Sequence, residues 1–253
     1  MPPPEPVRLF VFSHPNHELA VFGLARRWRP HFVFLTDGGG PDRVADTKHG
    51  LESLGLLDRA RFLNHSEGSF YKALVNRDAA FYEGVARQVR EAVAAVRPSQ
   101  VYCDAVEFYN PVHDICLPVV KAALRGTPGV EVFEIPLIHQ RPADGESYLI
   151  QRAGNGKTLD VQLSPEEAEA KCGARDGIYG CLREQMGDLL ATVPKEHLSR
   201  EQVAPAVTAL PRPGAGRVLR YEWRGELLRK RGEIDRVITY AGHYAPVAER
   251  LFA

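Results

Sequence analysis

Leu9-Phe10-Val11-Phe12-Ser13-His14-Pro15-Asn16-His17-Glu18 is the stretch on which the reading of this chain turns. Val7 to Phe12 is a short apolar run rich in β-branched and aromatic residues, the pattern of a buried strand. Pro15 closes it, because proline offers no N–H to a ladder and holds the residue before it extended. Leu19, Phe22 and Leu24, with Ala20 and Ala25, then predict a helix running to about Trp28. His14, His17 and Glu18 therefore fall at a strand's carboxyl end and on the first turn of the next helix, where open α/β sheets bind ligands. Positions three and four apart share a helix face, so these three groups can converge on one ion.

Outward from that stretch, His31 to Thr36 reads as a second strand ending at Asp37-Gly38-Gly39-Gly40. The glycines permit a tight turn, but neither G-x-G-x-x-G nor G-K-[ST] is present, so a phosphate loop is a poor reading. Arg61 to Asn64 is a short third strand, and His65 to Arg77 shows no clear period and is expected to line a cleft. From a capping Asp78, Phe81, Val85, Val89, Val93 and Val96 recur at helical spacing up to Arg97-Pro98. Val101 to Cys103 is a fourth strand that delivers a second polar constellation, Asp104 to Asp114, with Glu107, Tyr109, Asn110 and His113 inside it. A helix over Ile115–Leu124, a strand over Val130–Pro136 and a short strand over Leu159–Gln162 follow. Ser164-Pro165-Glu166-Glu167 combines a cap, a first-position proline and a third-position glutamate, a strong helix start. Residues 195–216 read as a connecting loop, Val218–Trp223 as a strand, and Glu233–Ala253 as a helix carrying Tyr240, His243 and Tyr244.

The 253 residues are enough for one domain with a sizeable core, taken as 1–253 with a C-terminal extension from about residue 195. Thirty-two basic and thirty-two acidic residues cancel, so nucleic acid and membrane are not expected partners. The Met-Pro-Pro-Pro-Glu-Pro start lacks signal-peptide features, and no run approaches the length of a membrane span. Four cysteines without a C-x-x-C pair suit a reduced, cytoplasmic setting, with a Cys172–Cys181 bridge as the lesser alternative.

The two constellations resemble the signatures of the PIG-L/LmbE-like zinc deacetylases. The family's His-Pro-Asp-Asp-Glu is matched in frame by His14-Pro15-Asn16-His17-Glu18, and its His-Pro-Asp-His by Asn110-Pro111-Val112-His113. Thr36-Asp37-Gly38 matches a family Thr-Asp-Gly, and Arg43-Val-Ala-Asp46 resembles its Arg-x-x-Glu. The resemblance implies an α/β fold, a Rossmann-like and mostly parallel sheet with helices on both faces. It implies His14 and His113 as zinc ligands, with His17 at the position of the family's ligand carboxylate. Asn16 stands where the family has its general base, and Asn110 where it has a catalytic histidine. Arg43 and Asp37 become substrate-binding candidates, and Tyr109 lies beside the frame of a carbonyl-polarising tyrosine. Glu18 would orient a neighbour, although a local alternative makes Glu18 the ligand and His17 the base.

Imidazole in place of a carboxylate raises the charge of the metal site by one unit, so Asn16 can suffice as an orienter. Proton delivery then falls to Asp104, Glu107, Asp114 or His243. The activity implied is zinc-dependent hydrolysis of an N-acyl group on an amino sugar or similar polar small molecule. Two rivals stay open: another reaction, with iron (Fe2+) in place of Zn2+, and a catalytically silent protein that binds a sugar or partner.

Overall fold

The computed structural model describes residues 5–138, 148, 158–181, 198–214 and 216–253. Strands β1 (Arg8–Phe12), β2 (His31–Thr36), β3 (Ala60–His65), β4 (Gln100–Asp104) and β5 (Glu131–Ile135) are followed by β6 (Leu159–Gln162) and β7 (Arg200–Pro205). They form one seven-stranded sheet in the order β3-β2-β1-β4-β5-β7-β6. All pairings from β3 to β5 are parallel, whereas β7 runs antiparallel to both β5 and β6. The strand order reverses between β1 and β4, which makes the crevice beyond their carboxyl ends the topological switch point.

The helices are α1 (Phe22–Trp28), α2 (Pro41–Ser53), α3 (Glu67–Val75), α4 (Ala79–Val96), α5 (Pro111–Asp114), α6 (Cys116–Ala123), α7 (Pro165–Gly177), α8 (Arg220–Lys230) and α9 (Ala245–Phe252). Alternation along the strands divides the core in two. Leu9, Val11, Val33, Leu35, Val101 and Cys103 pack with apolar residues of α3, α4, α6 and α9 on one face. Phe10, Phe12, Phe32, Phe34 and Tyr102 pack with Leu24, Ala25 and Leu51 of α1 and α2 on the other. Both faces are covered, which is why these parallel strands read as continuous apolar runs. Each fully buried phenylalanine contributes about 1.5–3 kcal/mol.

A buried ion pair ties the far side of the sheet to the first helix. Lys171 Nζ lies 2.8 Å from Glu201 Oε1 and also donates to the Ala20 carbonyl at 2.9 Å. Glu201 in turn accepts the N–H groups of Gly23 and Leu24, two of the otherwise unpaired donors that open α1.

Several expectations are corrected. The first helix is split: His17–Val21 is a 3-10 turn, and α1 begins only at Phe22. The segment after His65 is not irregular, because Ser66 caps α3 and Phe70, Ala73 and Leu74 give it a short buried stripe. The expected connecting loop contains β7; its opening residues 195–197 lie outside the described part. The expected strand over Val218–Trp223 is the start of α8, since Glu222 accepts the Leu219 N–H at 3.1 Å and closes a helical first turn. The final helix is shorter than expected, a π turn over Tyr240–Tyr244 leading into α9. Cys172 is in no disulfide, so the Cys172–Cys181 bridge is not formed.

Candidate metal centre

The loop leaving β1 is anchored before it reaches its histidines. The Ser13 carbonyl accepts both the N–H and the hydroxyl of Thr36, at 3.0 and 2.7 Å. Asn16 then takes a left-handed φ of 78°, which asparagine tolerates better than most residues. Its N–H donates to Thr47 Oγ1 at 2.7 Å, and that hydroxyl donates to Asn16 Oδ1 at 2.9 Å. This turn sets His17 beside His14, while α5, following β4, brings in His113. The three ring centroids lie 4.5–5.1 Å apart, and one ligating nitrogen of each lies within 4.8 Å of the others.

Burial, then the neighbouring His14 and Arg43, push the His17 imidazole well below its ordinary pKa. Burial, then His17 and His14, do the same to His113. Both rings are therefore neutral at physiological pH, with a lone pair available. His17 Nδ1 faces Asp104 Oδ2 at 3.0 Å, which leaves Nε2 for a ligand. Among the described residues, His113 Nδ1 is buried without a hydrogen-bond partner, and His14 Nε2 has Glu67 Oε1 3.1 Å away but not in hydrogen-bond alignment. Leaving such groups unsatisfied costs about 1–3 kcal/mol each, a penalty that a cation would relieve. The three imidazoles thus fit a divalent metal of the zinc or iron type.

The other expected residues have different surroundings. Glu18 lies outside the converging set, buried and accepting the Tyr179 hydroxyl at 2.9 Å; burial pushes its carboxyl up to about 7. Asp104 is fully buried and accepts the N–H and hydroxyl of Ser13 at 2.7 and 2.5 Å, so it orients His17. Glu107 accepts from the backbones of Leu137 and Ile138, and Asp114 from those of Glu107 and Phe108. Asn110 caps α5 through the Val112 N–H at 2.9 Å and also accepts from Tyr71 at 3.3 Å. Asp37 accepts the Gly39 and Glu67 N–H groups, and Arg43 donates to the carbonyls of Pro15 and Gly38; both brace loops around the centre. His243 is held by Thr239, with Arg77 and Arg236 as its charged neighbours. Tyr109 stays close, its ring centroid 6.2 Å from that of His113 and Arg220 stacked over it at 4.1 Å.

Three residues near the centre were not among the expected site residues, although two of them lie in the segment from His65 to Arg77 expected to line a cleft. Glu67 opens α3 with Oε1 3.1 Å from His14 Nε2, Tyr71 follows one turn later, and Arg220 opens α8. The capping Ser66 ahead of a Phe70-Ala73-Leu74 stripe was the available signal for the first two.

No protein-family model matches the sequence, and no curated protein is similar enough to count as a relative. Solved structures do match. The A40926 pseudoaglycone deacetylase is similar over 83% of this chain and 100% of its own, with 12% identity and a TM-score of 0.60. A deacetylase of teicoplanin biosynthesis is similar over 79% of this chain and 98% of its own, with 13% identity and a TM-score of 0.54. A zinc-inhibited form of teicoplanin deacetylase covers 80% of this chain at 13% identity and a TM-score of 0.50. At such identities the likeness is one of fold, and the fold is that of the LmbE-like deacetylases which the two histidine constellations resemble.

Proposed function

We propose that this protein is a metal-dependent hydrolase, most simply a zinc enzyme, that removes an N-acyl group from an amino sugar or a similar polar small molecule. The observation that carries the reading is the convergence of His14, His17 and His113 at the switch point of a deacetylase fold. When bound, zinc supplies Lewis acidity toward a carbonyl and makes water acidic enough to react near neutral pH. The protein's part is to hold and shape the site. Asp104 fixes the tautomer and direction of His17 through its Nδ1. Asn16 has its Oδ1 engaged by Thr47 and its buried Nδ2 without a partner, so an N–H remains for a substrate oxygen. The Tyr109 ring beside His113, with Arg220 upon it, offers a flat face and a positive charge for a polyhydroxylated substrate.

A second reading, a metal protein with another reaction, draws on one observation. Of the groups expected to deliver the proton, Glu107 and Asp114 accept backbone hydrogen bonds and Asp104 holds Ser13 and His17 through Oδ2, which leaves Asp104 Oδ1 and His243. Metal analysis of the purified protein and of His113→Ala, with an assay on N-acetylated amino sugars, tests both. One metal per chain in the parent, lost in the variant, together with deacetylation supports the first reading. Metal without deacetylation supports the second, and unchanged stoichiometry in His113→Ala overturns the three-histidine centre.

A further inference from the structure

We propose that Glu67 is the carboxylate ligand of this centre, supplied by α3 in place of the carboxylate that the loop after β1 lacks. The inference rests on the metal-centre reading above and adds a fourth protein ligand to it. Glu67 Oε1 stands 3.1 Å from His14 Nε2, yet Nε2 has no aligned hydrogen-bond partner. In a site that keeps a further position for water, two neighbouring donor atoms bound to one ion at about 2.0–2.1 Å sit about 2.9–3.4 Å apart, a range that includes that separation. The other ring nitrogen, Nδ1, faces Ser13 Oγ at 3.4 Å. That leaves Nε2 to ligate, and Nε2 cannot both carry a proton for Glu67 and bind a metal.

The surrounding loop is shaped around this side chain. Asp37 Oδ1 pins the Glu67 N–H at 2.9 Å, which fixes where α3 begins. A Cβ on Gly39 would come within 3.1 Å of Glu67 Oε2, and Gly39 has a φ of 93°, so both space and backbone call for glycine there. The Glu67 side chain is about 20% exposed, whereas Asp104 is sealed and committed to His17 and Ser13. Like Glu18, Glu67 lies outside the set of ligand atoms within 4.8 Å of one another; it sits on the His14 side of the cluster, and ligation requires its side chain to rotate toward the shared centre. Charge favours that turn. Imidazole ligands bring no negative charge to a divalent ion beside Arg43, and a Glu67 carboxylate brings one.

The test uses zinc and cobalt(II) alone, without substrate, on the parent, Glu67→Gln, Glu67→Ala and His113→Ala. Zinc affinity is read by chelator competition, and the ligand set by the visible bands of the cobalt form. Glu67→Gln keeps the side-chain volume, and its thermal unfolding confirms the fold. Expected are an at least tenfold loss of zinc affinity in both Glu67 variants and a change in the cobalt bands. Affinity within twofold of the parent overturns the assignment. Weaker binding with unchanged cobalt bands also overturns it, because Glu67 would then act only through His14. A parent that binds no zinc overturns the histidine centre itself, an outcome separate from either of these.

Discussion

Asp104 Oδ2 accepts from His17 Nδ1 at 3.0 Å while holding the N–H and hydroxyl of Ser13, so one buried carboxylate sets both the loop after β1 and the imidazole it carries. β1 and β4 are adjacent parallel strands, and their ends bring these residues together. These contacts support a positioning role for Asp104 beside the proton delivery expected of it. Asp104→Asn should weaken metal binding by about 10–100-fold while the protein stays folded. Chelator competition alongside circular dichroism checks it, and an unchanged affinity would deny Asp104 the orienting role.

Glu18 and Tyr179 predict a stability effect away from the metal. The Tyr179 hydroxyl is buried against Glu18 Oε1, and a side chain on Gly50 would run into that same hydroxyl. Tyr179→Phe should cost about 1–3 kcal/mol by leaving a buried acceptor unpaired. Gly50→Ala should also destabilise, by displacing the Tyr179 ring. Denaturant midpoints of the two variants and the parent decide the matter.

Glu134 predicts a pH dependence. Burial pushes its carboxyl up to about 7, against the opposing pull of the Val106 and Val207 N–H groups. The folded state therefore holds a proton that the unfolded chain, near its ordinary 4.5, releases earlier. Its contribution to stability is fully present below about 4.5 and is lost as pH rises through about 7. Between those limits Tm should fall with rising pH by this group's share, and Glu134→Gln should flatten that part of the profile. A parallel slope in the variant would assign the effect to other carboxyls.

The double change Asn16→Asp with His17→Asp puts the family's residues into this loop. It should yield no gain on an N-acetylated amino sugar and weaker metal binding than the parent. His17→Asp removes the Nδ1–H donor and sets a second carboxylate near buried Asp104, a like-charge pair that burial makes costly. Metal content and hydrolysis measured side by side test this, and a clear gain from a silent parent would mark the protein as a decayed deacetylase.

No helix among the described residues is long and apolar enough to cross a membrane, in line with the sequence reading. The sequence by itself determined the ends of β1 to β6, the mostly parallel α/β fold and the three histidines. Apolar runs, prolines and caps are local, and a strand's carboxyl end places whatever follows it in the crevice. Tertiary structure alone decided which donors surround each carboxylate. Asp104 turned out to hold His17, Glu107 and Asp114 were taken by nearby backbone, and Glu67 arrived beside His14 from α3. The same holds for β7, whose residues look like a loop until β5 and β6 pair with them. The physical reason is common to all of these. A carboxylate's surroundings follow from the donors that reach it, and apart from Asp114, whose donors Glu107 and Phe108 lie in its own loop, those donors come from segments distant in sequence whose meeting depends on sheet order, which local periodicity does not encode.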